Sequence, residues 1–182
     1  NELGGNMRDL EKMTRKSQEA MQAAADSAEN QKHSAVEPAH LALALLVQDD
    51  GIVPQTLLAA KAPLGRIISD IEAQLNQLPE VSGEGVRVVA SPALIEVFKA
   101  SEQEAKSLGD SFISTEHFAL ALLKKNKEIG QLFKAHGVTA KSFAETLLEK
   151  RGGQKVTDDN PEAKFDALSK YARDLTELAE EG

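Results

Sequence analysis

Cysteine and tryptophan are absent from this chain of 182 residues, and other aromatics are few: one Tyr and six Phe. Without cysteine there is no disulfide framework, no thiolate zinc site and no thiol nucleophile, a composition that suits a reducing compartment. No run approaches the roughly eighteen apolar residues of a membrane-spanning helix, and no secretory signal core is visible. A soluble, cytoplasmic protein is the expectation. Positive charge is also short. The 21 Lys and Arg stand against 29 Asp and Glu, a net charge of −8. That balance leaves no electrostatic footprint for phosphates, so neither nucleic acid nor a membrane is an expected partner.

What is present is aliphatic. There are 26 Ala and 22 Leu against ten Val and seven Ile, a balance that favours helix over strand. Residues 1–6, Asn-Glu-Leu-Gly-Gly-Asn, read as an expression scar or a frayed end. Thr14 is a candidate N-cap for an Ala-rich helix running to about Asn30. Pro38 suits the first turn of a second helix, which the Asp49-Asp50-Gly51 cluster stops. A third short helix carries Leu57 and Leu58. In a fourth, Leu64, Ile67, Ile68, Ile71 and Leu75 form an amphipathic stripe. The turn-rich stretch from Leu78 to Gly85 separates these from a second helical region opened by Ser91 and Pro92.

The chain repeats itself. At an offset of 77 residues, His40-Leu41-Ala42-Leu43-Ala44-Leu45-Leu46 falls on His117-Phe118-Ala119-Leu120-Ala121-Leu122-Leu123, six of seven positions being identical. Thr14 then falls on Ser91, Glu19 on Glu96 and Val36 on Ile113. A two-residue shortening brings Leu57-Leu58 onto Leu132-Phe133 and Ile68 onto Phe143. The expected fold is all-α: a tandem repeat of a four-helix motif (residues 8–78 and 90–151) packed about a pseudo-twofold axis. Two copies are too few for a solenoid. Residues 152–161 are glycine-bearing and polar and end on proline, which predicts a mobile linker. The 3–4 residue spacing of Phe165, Leu168, Ala172, Leu175 and Ala179 predicts a final helix over 162–182.

Signatures of chemistry are missing. No glycine precedes a lysine, so there is no P-loop, and neither G-x-S-x-G nor H-E-x-x-H occurs. His33, His40, His117 and His136 form no i, i+4 pair, and His40 and His117 read as packed or capping residues rather than metal ligands. The acidic doublets lie in turns or at the chain end, where carboxylates stay solvated. No catalytic residue, metal or cofactor is therefore expected. A binding surface fits better. Five of the six Phe lie in the second unit, and a seam between helical units is a common place for an apolar peptide groove.

Several runs resemble the N-terminal domain of the Clp family of AAA+ unfoldases. They are Glu11-Lys12-Met13-Thr14, Glu37-Pro38-x-His40-Leu41, Gly109-Asp110-x-Phe112-Ile113-Ser114-Thr115-Glu116-His117-Phe118, and Leu168-x-Lys170-Tyr171-x-x-Asp174-Leu175-Thr176. The last looks more like the disaggregases than their protease-partner relatives. The resemblance implies a double four-helix domain tethered above a hexameric ring, which captures unfolded or aggregated polypeptide. It assigns ATP and Mg to absent modules and help from an Hsp70 system to other parts of the full protein. It also implies that Thr14, Asp110 and Glu116 border the substrate surface. Ala100, Glu104 and His117 stand there where related chains carry larger or more apolar residues. The other reading is an adaptor-docking domain that recognises one folded partner.

Overall fold

The computed structural model describes residues 11–83 and 87–162. The expected scar over 1–6 and all but the first residue of the expected final helix lie outside them. Eight helices are found among the described residues: α1 Arg15–Asn30, α2 Pro38–Leu46, α3 Ile52–Ala59, α4 Leu64–Asn76, α5 Pro92–Ser107, α6 Thr115–Lys125, α7 Lys127–Ala135 and α8 Ala140–Arg151. They form two units of four, α1–α4 and α5–α8.

The starts of these helices follow local chemistry. Thr14 is extended and its Oγ1 accepts from the Ser17 N–H, and Ser91 does the same for the Leu94 N–H. Each satisfies a first-turn donor that has no partner within its helix. The α2 and α6 starts carry capping boxes in which the third helical residue is a histidine, His40 or His117. Thr14 has no exposed surface. Thr14→Ala is expected to lower stability by about 1 kcal/mol, read as a fall in melting temperature. An unchanged melting temperature would make its role purely functional.

Two short parallel pairings join the units. Strand β1 (Ala35–Val36) pairs with β2 (Val89–Ala90), with Val36 opposite Ala90. Met13 bridges Ile113 in parallel. At an offset of 77, Met13 maps to Ala90 and Val36 to Ile113, so the two pairings are the same one seen from either unit. Their flanking bonds match: Thr14 N–H to Ile113 O at 2.9 Å, and Ser91 N–H to Val36 O at 3.0 Å. This exchange is the expected pseudo-twofold relation in backbone form. Two-residue strands have no periodicity to betray them in a sequence.

The shortening between units is one residue, not two. The buried faces pair Leu57 with Phe133, Ile67 with Phe143 and Ile71 with Leu147. The turns agree, since Lys61 and Gly137 both hold positive φ, at 61° and 81°. Leu57-Leu58 matches Leu132-Phe133 by type, but Leu58 is exposed and Phe133 buried, which settles the register.

Helices α2, α3 and α6 meet at the centre, with α8 on α3 and α7 on α4 closing the sides. Ala42, Leu45, Leu46 and Val53 meet Ala119, Leu122, Ile129, Phe133 and Phe143 there, and the void left among them is only about 10 Å³. The interior of the seam at these residues is thus packed core.

The segment expected to be a mobile linker touches the body. Val156 is fully buried. Its carbonyl accepts from the Ser111 N–H at 2.8 Å, and the Arg15 N–H donates to Asp159 O at 2.8 Å. Lys155 Nζ donates to Leu108 O, and Arg15 Nε to Asp159 Oδ2.

Candidate functional site

The loop before α6 and the first turn of that helix hold a buried polar cluster. Arg151, the last residue of α8, grips Asp110 with two donors, Nη1 to Oδ2 at 2.9 Å and Nη2 to Oδ1 at 2.6 Å. His117 Nε2 meets Asp110 Oδ2 at 2.7 Å, and the Val156 N–H donates to Oδ1. The side chains of Asp110 and His117 have no exposed surface, and that of Arg151 has 2 %. Burial alone would push the Asp110 carboxyl up. The bonds from His117, Arg151 and Val156, with the Arg151 charge, outweigh it and hold the group well below the usual carboxylate range.

The Ser114 N–H donates to His117 Nδ1 at 2.8 Å, which places the imidazole proton on Nε2, facing Asp110. Ser114 Oγ lies 3.3 Å from the same Nδ1 and donates to Glu116 Oε1. Serine, histidine and aspartate therefore line up as in a hydrolase, but the resemblance to a catalytic relay ends at the order. The His117 acceptor is taken by a backbone N–H, the serine proton goes to Glu116, and none of the three has an exposed side chain. No substrate atom can reach Ser114 Oγ, and the set acts as a helix cap.

The six sequence-predicted residues fall in two groups. Asp110 and His117 touch directly, and Glu116 joins them through Ser114. Thr14 is tied to the same loop through Ile113 O. All four side chains are inside the molecule, and Glu116 Oε2 has no hydrogen-bond partner. Ala100 and Glu104 stand apart, one turn from each other on α5 and partly exposed. Glu104 pairs with Lys124 of α6 at 2.8 Å. On the other flank of the same helix Phe98 is half-buried, its ring centroid 5.8 Å from that of Phe118. A buried polar cluster thus sits at the start of α6, while Glu104 of α5 pairs near that helix's other end.

Unit one repeats this geometry with other chemistry. The Glu37 N–H donates to His40 Nδ1, and His40 Nε2 donates to His33 Nδ1 at 2.8 Å. His33 stands where unit two has Asp110, and Leu75 where it has Arg151. Burial, and then the neighbouring His33, lower the His40 pKa from 6.5 to about 4. Sequence reading missed Arg151 and the His33–His40 pair. The signal for the histidine pair is the repeat itself: in each unit a polar residue lies seven before the helix-start histidine.

No group of three or more His, Asp or Glu side chains among the described residues is placed to hold a metal. No helix among them is long and apolar enough to cross a membrane.

The family model of the Clp repeat N-terminal domain matches residues 12–136. The chain is 50 % identical over 171 residues to the chaperone protein ClpB of Bdellovibrio bacteriovorus, covering 93 % of this chain and 20 % of that protein. It is 35 % identical over 170 residues to ClpB of Bacillus cereus, again covering 92 % of this chain and 20 % of the relative. The chain therefore spans about one-fifth of the length of the curated relatives it matches. In shape it is similar to the N-terminal domain of Hsp104 from Candida albicans, with TM-score 0.75, 20 % identity and coverage of 84 % and 99 % of the two chains. The ClpV N-domain in complex with VipB peptide has TM-score 0.61 at 19 % identity, covering 75 % and 87 %. With eight described helices in two repeated units, the chain belongs to the Clp repeat N-terminal domain family.

Proposed function

We propose that this domain captures unfolded or aggregated polypeptide in the cytoplasm and delivers it to a hexameric, ATP-driven disaggregase of the ClpB type. The observation that carries the reading is the partly exposed stretch of α5, with Ala100 and Glu104 one turn apart on one flank and half-buried Phe98 on the other. The likeness to ClpB chaperones along most of the chain supports it. So does the ClpV relative solved with a peptide, as a precedent for peptide binding on this fold. In this reading Ala100 and Glu104 contact substrate. Thr14, Asp110, Glu116 and His117 are positioning residues that fix the loop and the start of α6 beneath it. ATP, Mg and cooperation with an Hsp70 system belong to other parts of the longer protein. Weak capture suffices, because several tethered copies on one ring add avidity through effective concentration.

An amide chemical-shift titration with an unfolded model polypeptide tests this. Saturable shifts along residues 95–104, with smaller ones over 110–117, are expected. Silence at millimolar ligand, with one-to-one binding of a folded partner instead, would replace capture by adaptor docking.

A further inference from the structure

A cleft of about 250 Å³ lies between the end of α6, α7 and the start of α8. Lys124, Lys127 and Lys134 line it together with Asn126, Gln131 and Thr139, and no carboxylate does. This is the reverse of the chain's overall charge of −8: between residues 124 and 141 there are five lysines and one glutamate. Lys127 and Lys134 are exposed and form no ion pair among the described residues. Lys124 is the pivot, since it pairs with Glu104 on α5 and so makes the cleft continuous with the proposed capture face.

The fold does not require these lysines. Through the repeat, Lys124 and Lys134 occupy the places of Val47 and Leu58 in unit one, and Asn126 that of Asp49. Val47 and Leu58 are exposed, at 56 % and 59 %. The equivalent positions are therefore apolar and acidic in one unit and basic or neutral in the other.

We infer that the α6–α8 cleft receives the carboxylate side chains of acidic stretches flanking the apolar segments of captured polypeptides. The inference rests on the capture reading and names its substrate class. Its size suits one or two side chains rather than a folded element. A negative protein with a small basic hollow favours a chain with a few local carboxylates over a polyphosphate backbone, whose dense charge the surrounding surface repels.

The test uses two unfolded peptides with the same apolar segment, one flanked by Glu and Asp and the other by Gln and Asn. Each is titrated into the wild type and the Lys127→Gln/Lys134→Gln variant, followed by amide shifts. Both lysines are exposed, and an unchanged melting temperature checks that the variant is folded. The acidic peptide is expected to bind the wild type about fivefold tighter than the neutral one at low salt. Its additional shifts should fall on residues 124–140. The gain should vanish in the variant, and in about 0.5 M salt, where charges are screened within a few ångströms. Equal affinities for the two peptides, or a gain that survives in the variant, would overturn the inference while leaving capture standing. Binding of neither peptide would remove both.

Discussion

Arg151→Ala is expected to cost about 3–5 kcal/mol of unfolding free energy, because it strands the Asp110 carboxylate inside the molecule without its cation. Arg151 provides two of the bonds to that group, and no water can replace them where the side chain has no exposure. In a domain of this size each kcal/mol moves the melting temperature by roughly 2–4 °C, so a fall of about 6–20 °C should be seen. Urea unfolding should show a lower midpoint with an unchanged slope. Unit one indicates a rescue. Asp110→His together with Arg151→Leu copies the His33, His40 and Leu75 arrangement and is expected to recover much of the loss. A single-variant effect below about 1 kcal/mol would mean that the cluster does not hold the α6 start.

Acid should weaken the protein in two separable steps. His40 titrates near 6.5 when unfolded and at about 4 when folded. Between those values the unfolded chain binds a proton that the native state does not, so stability rises with pH across the window. Falling from pH 6.5 to 4 should therefore cost about 3 kcal/mol. A second reason adds to burial: a proton on His40 Nδ1 would face the Glu37 N–H that now donates to it. Asp110 acts lower. Its folded pKa is depressed, so its contribution is complete above the ordinary carboxylate pKa and fades as pH falls below it. Unfolding free energies of the wild type and His40→Gln, measured from pH 7 to 4.5, check the first step. The variant should show a flatter profile whatever its absolute stability. Parallel profiles would assign the acid sensitivity elsewhere.

The elements that carry strong local signals were legible in the sequence, and those that depend on distant partners were not. Thr14 and Ser91 stand just before periodic apolar runs, and both cap helices as read. The duplication was visible because α2 and α6 are buried nearly all round, which keeps their sequences alike. The offset beyond them slipped by one residue because Leu and Phe at neighbouring positions are interchangeable by type and differ only in which way they face. The site was harder. Thr, Asp and Glu are mostly found at surfaces, so they read as a rim. The partners that bury them lie far along the chain, as with Arg151, 41 residues from Asp110, which by position is merely a basic residue ending a helix. Ala100 and Glu104 were identified by resemblance, and no local pattern distinguishes them.

The exchanged pairings at Met13–Ile113 and Val36–Ala90 have a consequence for how such a molecule can be divided. Neither half closes its own backbone: the Thr14 N–H finds its acceptor on the second half, and the Ser91 N–H on the first. A break between residues 83 and 87 would leave two fragments that complement each other in trans. Each would also present the surface needed to meet a copy of itself. The domain is in effect a covalently fused dimer, an isologous contact made intramolecular. Within one chain the two sides need not match: one holds a histidine pair, the other an ion cluster and a basic hollow, so a pseudo-symmetric scaffold has two different ends.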